Sequence, residues 1–485
     1  MTNLPKAMTR RTAIGLLAAS TLAATAAVPA TAASNAAAGR TDKPAKEGRG
    51  TSIIIKPRRS ADADRESLGL RFTPRTDLQP TGLYVAPGEV LTVALAAKLR
   101  QGDPMPVITI GAPNTQFDEN GRNIDHTRPY ALAPGANKVS DPYGGPVYFS
   151  WPVQSRNSKS TATATITGRT REIPTFTLGT TAERDFQKDL DRLDTPFVEL
   201  ISQHALLSFH RHQVLGFRRE DHAALLRTID RVIQIEDNLA GYGDDATSPV
   251  PTGPHHLVGY PGNIPGAGAQ AWFQFTTYSE TENDDVLTVG GVRTHGWGLY
   301  HELGHQHQID KINPSPLAEA TIEQFSLAVQ RRFTEQYGQQ SRPRAINKNG
   351  QSYWDDLMAA RDAGITDFAT VPHRFLVIEQ LRLAYGEKFI TQWYRVTRQQ
   401  LAQLPDGVTG DDDTTDAATD LIRWQNVVYT TSMAAQVDLT DFWAGWGVRV
   451  TDQTRANVRQ LRVGPPSVNL AAFRETNINE PSVWP

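Results

Sequence analysis

The sequence of 485 residues contains no cysteine. Disulfides and thiolate metal sites are therefore excluded, and any metal ion must be held by histidine, aspartate or glutamate. The formal net charge is only −3, which gives no electrostatic basis for binding nucleic acid or an anionic membrane. After the N-terminus, no segment is long and apolar enough to span a bilayer. The length predicts two or three domains.

Residues 1–39 have the composition of a secretory signal peptide. Arg10 and Arg11 precede an apolar run at residues 13–19, and Ala30-Thr31-Ala32 offers a small-residue cleavage site. The arginine pair also suits a twin-arginine signal. A membrane anchor is the alternative, but the run is short and rich in Ala and Thr. We predict a secreted protein, with a disordered linker at residues 40–50.

Residues 51–177 show short alternating runs that are broken by Gly and Pro. Examples are Val90-Leu91-Thr92-Val93-Ala94-Leu95 and Val107-Ile108-Thr109-Ile110. Several such strands at regular spacing predict a β-sandwich. The pattern by itself assigns this domain no function beyond packing against the rest of the chain.

From residue 178 to about 352 the apolar spacing becomes helical, with helices predicted at residues 182–190 and 221–239. A Gly- and Pro-rich loop is predicted at residues 251–268. A strand is predicted at residues 271–276, where it could align a substrate backbone by strand addition.

A His-Glu-x-x-His motif lies in this region, at His301-Glu302-Leu303-Gly304-His305. Residues four apart share one face of a helix, with about 5–6 Å between Cβ atoms. His301 and His305 can therefore bind one Zn²⁺ ion, while Glu302 can act as general base on the attacking water. A chance match on a surface helix is the alternative, and the sequence after the motif decides between the two.

A catalytic zinc ion needs a third protein ligand. Glu319 lies 14 residues after His305 and begins a helix predicted at residues 317–333. Glu323 lies one turn later, where it can accept the N–H of a ligating imidazole or compete for the ligand position. Solvated acids at a helix start are the alternative. We predict one zinc ion per chain, held by His301, His305 and Glu319.

A further donor should stabilise the oxyanion that forms during hydrolysis. The candidates are Tyr260, His256 and His295, each equally consistent with a packed or solvent-facing residue. His307 lies two positions past a ligand and points off the zinc face of a straight helix, which argues against it.

With these residues, the sequence resembles the enhancin and mucin-degrading zinc metallopeptidases, that is, peptidase family M60, a gluzincin group. The similar stretches are GWGLYHELGHQHQ at residues 296–308, EATIEQFSL at 319–327, TGLYVAPGE at 81–89, GGPVY at 144–148 and DLTDFWAGWG at 438–447. The sequence departs from the family pattern at Glu323, where the resemblance leads us to expect Asn. This departure leaves zinc binding intact, makes the partner of His301 an acid here, and keeps Glu323 as a rival ligand. The resemblance implies a secreted endopeptidase that acts on glycoproteins, with glycan-dependent cleavage in some members.

Residues 353–485 are predicted to be helical, with helices at 354–363, 375–385, 388–404 and 418–435. Their tryptophans (Trp393, Trp424, Trp443 and Trp446) are predicted to lie in the core. The acidic run at residues 411–413 lacks the alternating ligand spacing of a calcium loop and favours a solvated turn.

The sequence therefore predicts an α+β multidomain chain, in which an N-terminal β-sandwich precedes a mostly α-helical gluzincin-like metallopeptidase domain. The predicted function is a secreted zinc endopeptidase that hydrolyses proteins, in particular mucin-type glycoproteins. One alternative is a non-catalytic glycan-binding or adhesion protein, against which an intact Glu302 argues. The other is a zinc amidase that acts on cell-wall peptides.

Overall fold

The structure, a computed structural model, describes residues 50–118, 120–339, 341–344, 346, 349–406 and 417–475. The predicted signal peptide, the linker up to residue 49 and the acidic run at 411–413 lie outside these residues. Within the described part of the chain, no helix combines the length and the apolar character needed to cross a bilayer.

Two antiparallel sheets form a sandwich in the first part of the chain. Its strands are β1 (Thr51–Ile55), β2 (Arg58–Arg59), β3 (Leu78–Val85), β4 (Val90–Lys98), β5 (Val107–Ile110), β6 (Arg128–Ala131), β7 (Gly135–Ser140), β8 (Gly145–Ser150), β9 (Pro152–Val153), β10 (Thr161–Gly168) and β11 (Thr170–Glu172). One sheet has the order β1-β10-β4-β7 and the other β11-β3-β8-β5-β6, while β2 and β9 form a separate parallel pair. Alternate residues of β4, namely Leu91, Val93 and Leu95, are buried in the sandwich core, as the period of two predicts.

One helix inside this region, α1 (Ala61–Leu68), was not predicted. Asp62 and Asp64 lie in its first turn, where they complement the helix dipole, and Gly69 ends it in the left-handed conformation with φ 65°. The all-β expectation for residues 51–177 was wrong here because eight residues are too few to show a helical period.

A six-stranded mixed sheet begins the second region. Its strands are β12 (Thr175–Thr177), β13 (Phe197–Ile201), β14 (Ala205–His210), β15 (His255–Gly259), β16 (Ala269–Trp272) and β17 (Phe275–Tyr278), in the order β12-β13-β14-β15-β17-β16. Strand β15 replaces the loop predicted there, because His255 and His256 are fully buried and bonded inside the protein. The single strand predicted at 271–276 is a hairpin, since the chain reverses at Phe273 and Gln274, which has φ 71°.

Helices make up most of the remaining described chain. They are α2 (Glu183–Arg192), α3 (Arg211–Gly216), α4 (His222–Leu239), α5 (Asn283–Leu287), α6 (Val289–Thr294), α7 (Trp297–His305), α8 (Ala318–Tyr337), α9 (Tyr353–Ala363), α10 (Phe375–Tyr385), α11 (Phe389–Gln399), α12 (Ala417–Ala435), α13 (Thr440–Gly445) and α14 (Asp452–Gln460). The predicted start of α4 is confirmed, since the Asp221 side chain accepts the N–H of Ala224 at 2.8 Å. All four predicted core tryptophans are buried, and the predicted fold class is confirmed.

Candidate metal centre

The His-Glu-x-x-His segment forms helix α7. Leu299, Tyr300 and Leu303 are buried in the core beneath the six-stranded sheet, which leaves His301 and His305 on another face. Gly304 allows α8 to approach closely, because a Cβ at this position would lie only 3.1 Å from the carbonyl oxygen of Ile322. This contact between α7 and α8 brings the start of α8 to the histidines.

Glu319 meets both imidazoles. Its Oε2 lies 3.2 Å from His301 Nε2 and 3.7 Å from His305 Nε2, and the three candidate ligand atoms fall within 4.8 Å of one another. Ligands that surround zinc tetrahedrally at 2.0–2.1 Å are roughly 3.3 Å apart. The two nitrogens and one carboxylate oxygen therefore fit a zinc ion both in spacing and in donor type.

Two side chains orient the imidazoles: Glu323 on α8, and Gln308 in the loop after α7. Glu323 Oε1 lies 3.5 Å from His301 Nδ1. Gln308 Oε1 lies 3.0 Å from His305 Nδ1, and its amide nitrogen donates to Ala318 O and to Thr321 Oγ1 at 2.8 Å. Partners at Nδ1 leave each Nε2 available to a metal. Gln308 was missed as a site residue; its sequence signal is its position three residues after a ligand.

The acids and histidines of the centre have strongly shifted pKa values. Burial raises the pKa of Glu319, but the hydrogen bond to His301 and the charge of His305 outweigh this and bring it to about 2. Burial also lowers the pKa of His301, yet its hydrogen bonds to Glu319 and Glu323 hold it well above the ordinary value. Burial lowers the pKa of His305 to about 4. The Glu319 carboxylate is thus anionic in its ligand position.

Glu302 is buried beside the first imidazole, with 7% of its surface exposed. Burial raises its pKa to about 7, against the attraction of His301, and the charges of Glu319, Glu323 and Glu282 raise it further. A carboxyl group with a pKa near neutrality can both accept and release a proton at physiological pH.

The segment that follows α1 also reaches the centre. The ring of Phe72 packs edge-on against His305, with 6.0 Å between the centroids, and against Phe273 at 5.3 Å. The backbone N–H of Arg71 donates to Gln308 O at 2.9 Å. The N-terminal region therefore forms one wall of the site, which its sequence gave no reason to expect.

A buried ion-pair network lies beneath α7. Asp237 accepts hydrogen bonds from Arg75 at 2.8 and 2.7 Å and from His307 Nε2 at 3.0 Å. His307 Nδ1 lies 2.9 Å from Leu303 O, at the end of α7. Asp237, His255 and His307 also satisfy the spacing of a metal-ligand group, but the Arg75 cation already occupies both oxygens of Asp237. We therefore interpret the network as structural.

The three candidate oxyanion donors contact other parts of the protein. His256 bonds Ser208 Oγ at 3.0 Å inside the sheet, Tyr260 packs on Phe117, and His295 contacts Thr294. Among the residues that the structure describes, none of these three side chains forms a hydrogen bond or a ring contact with His301, His305 or Glu302. His307 is buried away from the metal face, in the network beneath α7.

Two imidazoles and a carboxylate on adjacent helices, beside a buried glutamate, have the composition and spacing of a metallohydrolase site. The chain belongs to the family described as peptidase M60, enhancin and enhancin-like, which matches residues 170–447. Residues 58–167 match the N-terminal domain of M60-like peptidases. The chain is accordingly a member of a metallopeptidase family, as its motifs predicted.

Solved structures share this fold. A functionally unknown conserved protein from Bacillus anthracis str. Ames is 25% identical, with a TM-score of 0.71 over 88% of this chain and 82% of that one. The ZmpB metallopeptidase from Clostridium perfringens is 17% identical, with a TM-score of 0.68 over 89% and 84%. The M60 catalytic domain of ZmpC from the same organism, solved with the sialyl T antigen, is 16% identical, with a TM-score of 0.65 over 88% and 83%.

A curated relative is the TRPM8 channel-associated factor 3 of Rattus norvegicus. It is 25% identical over 237 residues, which cover 47% of this chain and 24% of that protein. The match thus spans about a quarter of the relative's length.

Proposed function

We propose that this protein is a secreted zinc endopeptidase that cleaves proteins, in particular mucin-type glycoproteins, with Glu302 as general base. The observation that carries the proposal is the convergence of His301, His305 and Glu319 beside the buried Glu302. Membership of the M60 peptidases supports the reaction class. The glycan bound to the related ZmpC domain and the export-signal pattern of residues 1–39 support the substrate and the location.

Zinc held by His301, His305 and Glu319 would act as a Lewis acid towards a water molecule and the scissile carbonyl. Glu302 takes a proton from the attacking water and delivers it to the leaving amine nitrogen. Glu323 and Gln308 keep the imidazoles in the required orientation and tautomer. Tyr260, His256 and His295 remain the candidates for the oxyanion donor, and the contacts of their side chains with Phe117, Ser208 and Thr294 do not favour any of them.

Strand β16 is positioned to align the substrate backbone. It forms the edge of the six-stranded sheet beside α7, and the Gln306 amide donates to Trp272 O at 3.3 Å. The outer side of β16 pairs with no other strand within the described ranges. An extended peptide can add to this edge by main-chain hydrogen bonds, which places a scissile bond next to the helix that carries His301.

The test compares hydrolysis of casein, of a mucin and of cell-wall peptides by the wild type, Glu302→Gln and the control Glu335→Gln, whose carboxylate is on the exposed side of α8. We expect cleavage by the wild type, a loss of roughly 10²–10⁴-fold in Glu302→Gln, and no change in the control. Mucin binding without cleavage would favour the adhesion alternative. Cleavage of cell-wall peptides alone would favour the amidase. Full activity of a zinc-loaded Glu302→Gln would contradict the mechanism.

A further inference from the structure

Glu282 is the last residue of a short 3₁₀ turn, Glu280–Glu282, between β17 and α5. This turn is tied to the loop that leads into the edge strand β16. Ser279 N–H donates to Gly268 O at 2.8 Å, and Glu280 N–H donates to Gly262 O at 2.9 Å. The backbone of Glu282 is therefore held at a fixed position beside the edge strand.

Two glycines make room for the Glu282 carboxylate. A Cβ built on Gly298 would lie 3.3 Å from Glu282 Oε2, and a Cβ on Gly268 would collide with Oε1. Gly298 lies three residues before His301 and four before Glu302 on α7, so the three positions share one side of the helix. The carboxylate therefore lies between the first turn of α7 and the entry to β16, about one helical turn before His301 and Glu302.

The Glu282 carboxylate is half-buried and has no hydrogen-bond or ion-pair partner among the residues that the structure describes. Burial raises its pKa. Glu280, two residues earlier, differs: it is more exposed and bonds His212 at 2.8 Å. Glu280 is thus an ordinary solvated surface acid, whereas Glu282 is not.

We propose that Glu282 is a specificity residue, which accepts hydrogen bonds from a donor-rich group of the substrate beside the scissile bond. An ionised carboxylate offers about four acceptor sites and no donor, and charge-assisted bonds to it are stronger than neutral ones. Two groups supply such donors: the cationic side chain of Lys or Arg, and the hydroxyls of a sugar. Acidic substrate groups are disfavoured at this position, because the ionised Glu282 carboxylate would repel them. This inference rests on the proposed peptidase function.

The test uses Glu282→Gln, Gly298→Ala and the control Glu280→Gln in the full chain. Glu282→Gln keeps the shape but removes the charge. Gly298→Ala keeps the charge, favours the helix and crowds the carboxylate with a methyl group. Each variant digests a peptide library and a set of peptides matched to their O-glycosylated forms, and mass spectrometry locates the cut sites. Thermal unfolding confirms that each variant is folded.

We expect the wild type to prefer one donor-bearing class, and the library and the glycopeptides identify which one. The ratio of kcat/KM for that class to kcat/KM for the matched donor-free peptide should fall roughly 10- to 100-fold in Glu282→Gln. The same ratio should also fall in Gly298→Ala and should stay unchanged in Glu280→Gln. Cleavage without a preference, or an unchanged ratio in both folded variants, would overturn the inference and leave the peptidase function intact. If the wild type cleaves no substrate, the proposed peptidase function and the specificity role of Glu282 are both contradicted.

Discussion

The substitution Asp237→Ala tests whether the buried ion-pair network beneath α7 stabilises the fold around this helix. Asp237 accepts two hydrogen bonds from Arg75 and one from His307, and only 2% of the Arg75 side chain is exposed. Removing the carboxylate takes from the buried guanidinium the acid to which it is hydrogen-bonded. Breaking a buried ion pair in this way costs about 3–5 kcal/mol, a large fraction of the total stability of about 5–15 kcal/mol of most proteins.

Urea unfolding followed by tryptophan fluorescence measures this change in the free energy of unfolding. Asp441→Ala is the matched control, because Asp441 also bonds an arginine, Arg455, at 2.7 Å, but is 89% exposed; its removal should have almost no effect. The double substitution Arg75→Met with Asp237→Ala should lose less than the sum of the single changes, because no unpaired charge is left behind.

The pH dependence of the same network has a definite sign. Burial raises the pKa of Asp237, but Arg75 and His307 outweigh it and hold the folded-state pKa below the ordinary value. The stabilisation is therefore complete above about pH 4, the unfolded pKa, and is lost as the pH falls through the lower folded pKa. Equal unfolding midpoints for Asp237→Ala and Asp441→Ala at pH 7 would refute the structural role assigned to the network of Arg75, Asp237 and His307.

Three further outcomes follow from the centre itself. Gln308→Ala should weaken zinc affinity roughly 10- to 100-fold, measured by chelator competition, because His305 loses its Nδ1 partner. Gly304→Ala should destabilise the fold in thermal unfolding, because its methyl group would press on the backbone oxygen of Ile322; such overpacking costs about 1–3 kcal/mol, against roughly 1 kcal/mol that alanine gains over glycine in a helix. In the metal-free protein, the pKa of Glu302 near 7 exceeds its unfolded value of about 4.3. The stabilisation that the protonated Glu302 contributes should therefore be lost as the pH rises from about 4 to 7, so the free energy of unfolding of the wild type relative to that of Glu302→Gln should fall over this range.

The sequence predicted those features that depend on local spacing. His301 and His305 lie four residues apart, so any helix there puts them on one face. The start of α8 was predicted because apolar periodicity resumes after a proline-containing break. The alternating strands of the sandwich were predicted for the same reason, since their period of two is visible over a few residues.

Features that depend on tertiary contacts were not predictable from such spacing. Strand β15 was missed because the buried partners of His255 and His256 come from distant segments. Phe72 reaches His305 only because the segment after α1 folds against the loop after α7. Arg75 and Asp237 are separated by 162 residues, and no local pattern pairs them.

Zinc content per chain tests the metal centre most directly. We would dialyse wild type, Glu319→Ala and Glu335→Ala, which lies on the exposed side of the same helix, and then measure bound zinc by elemental analysis and chelator competition. One zinc ion per chain is expected for the wild type and for Glu335→Ala. Glu319→Ala should lose more affinity than the roughly 10- to 100-fold expected for Gln308→Ala. Wild-type zinc affinity in Glu319→Ala would contradict the assignment of His301, His305 and Glu319 as the ligands.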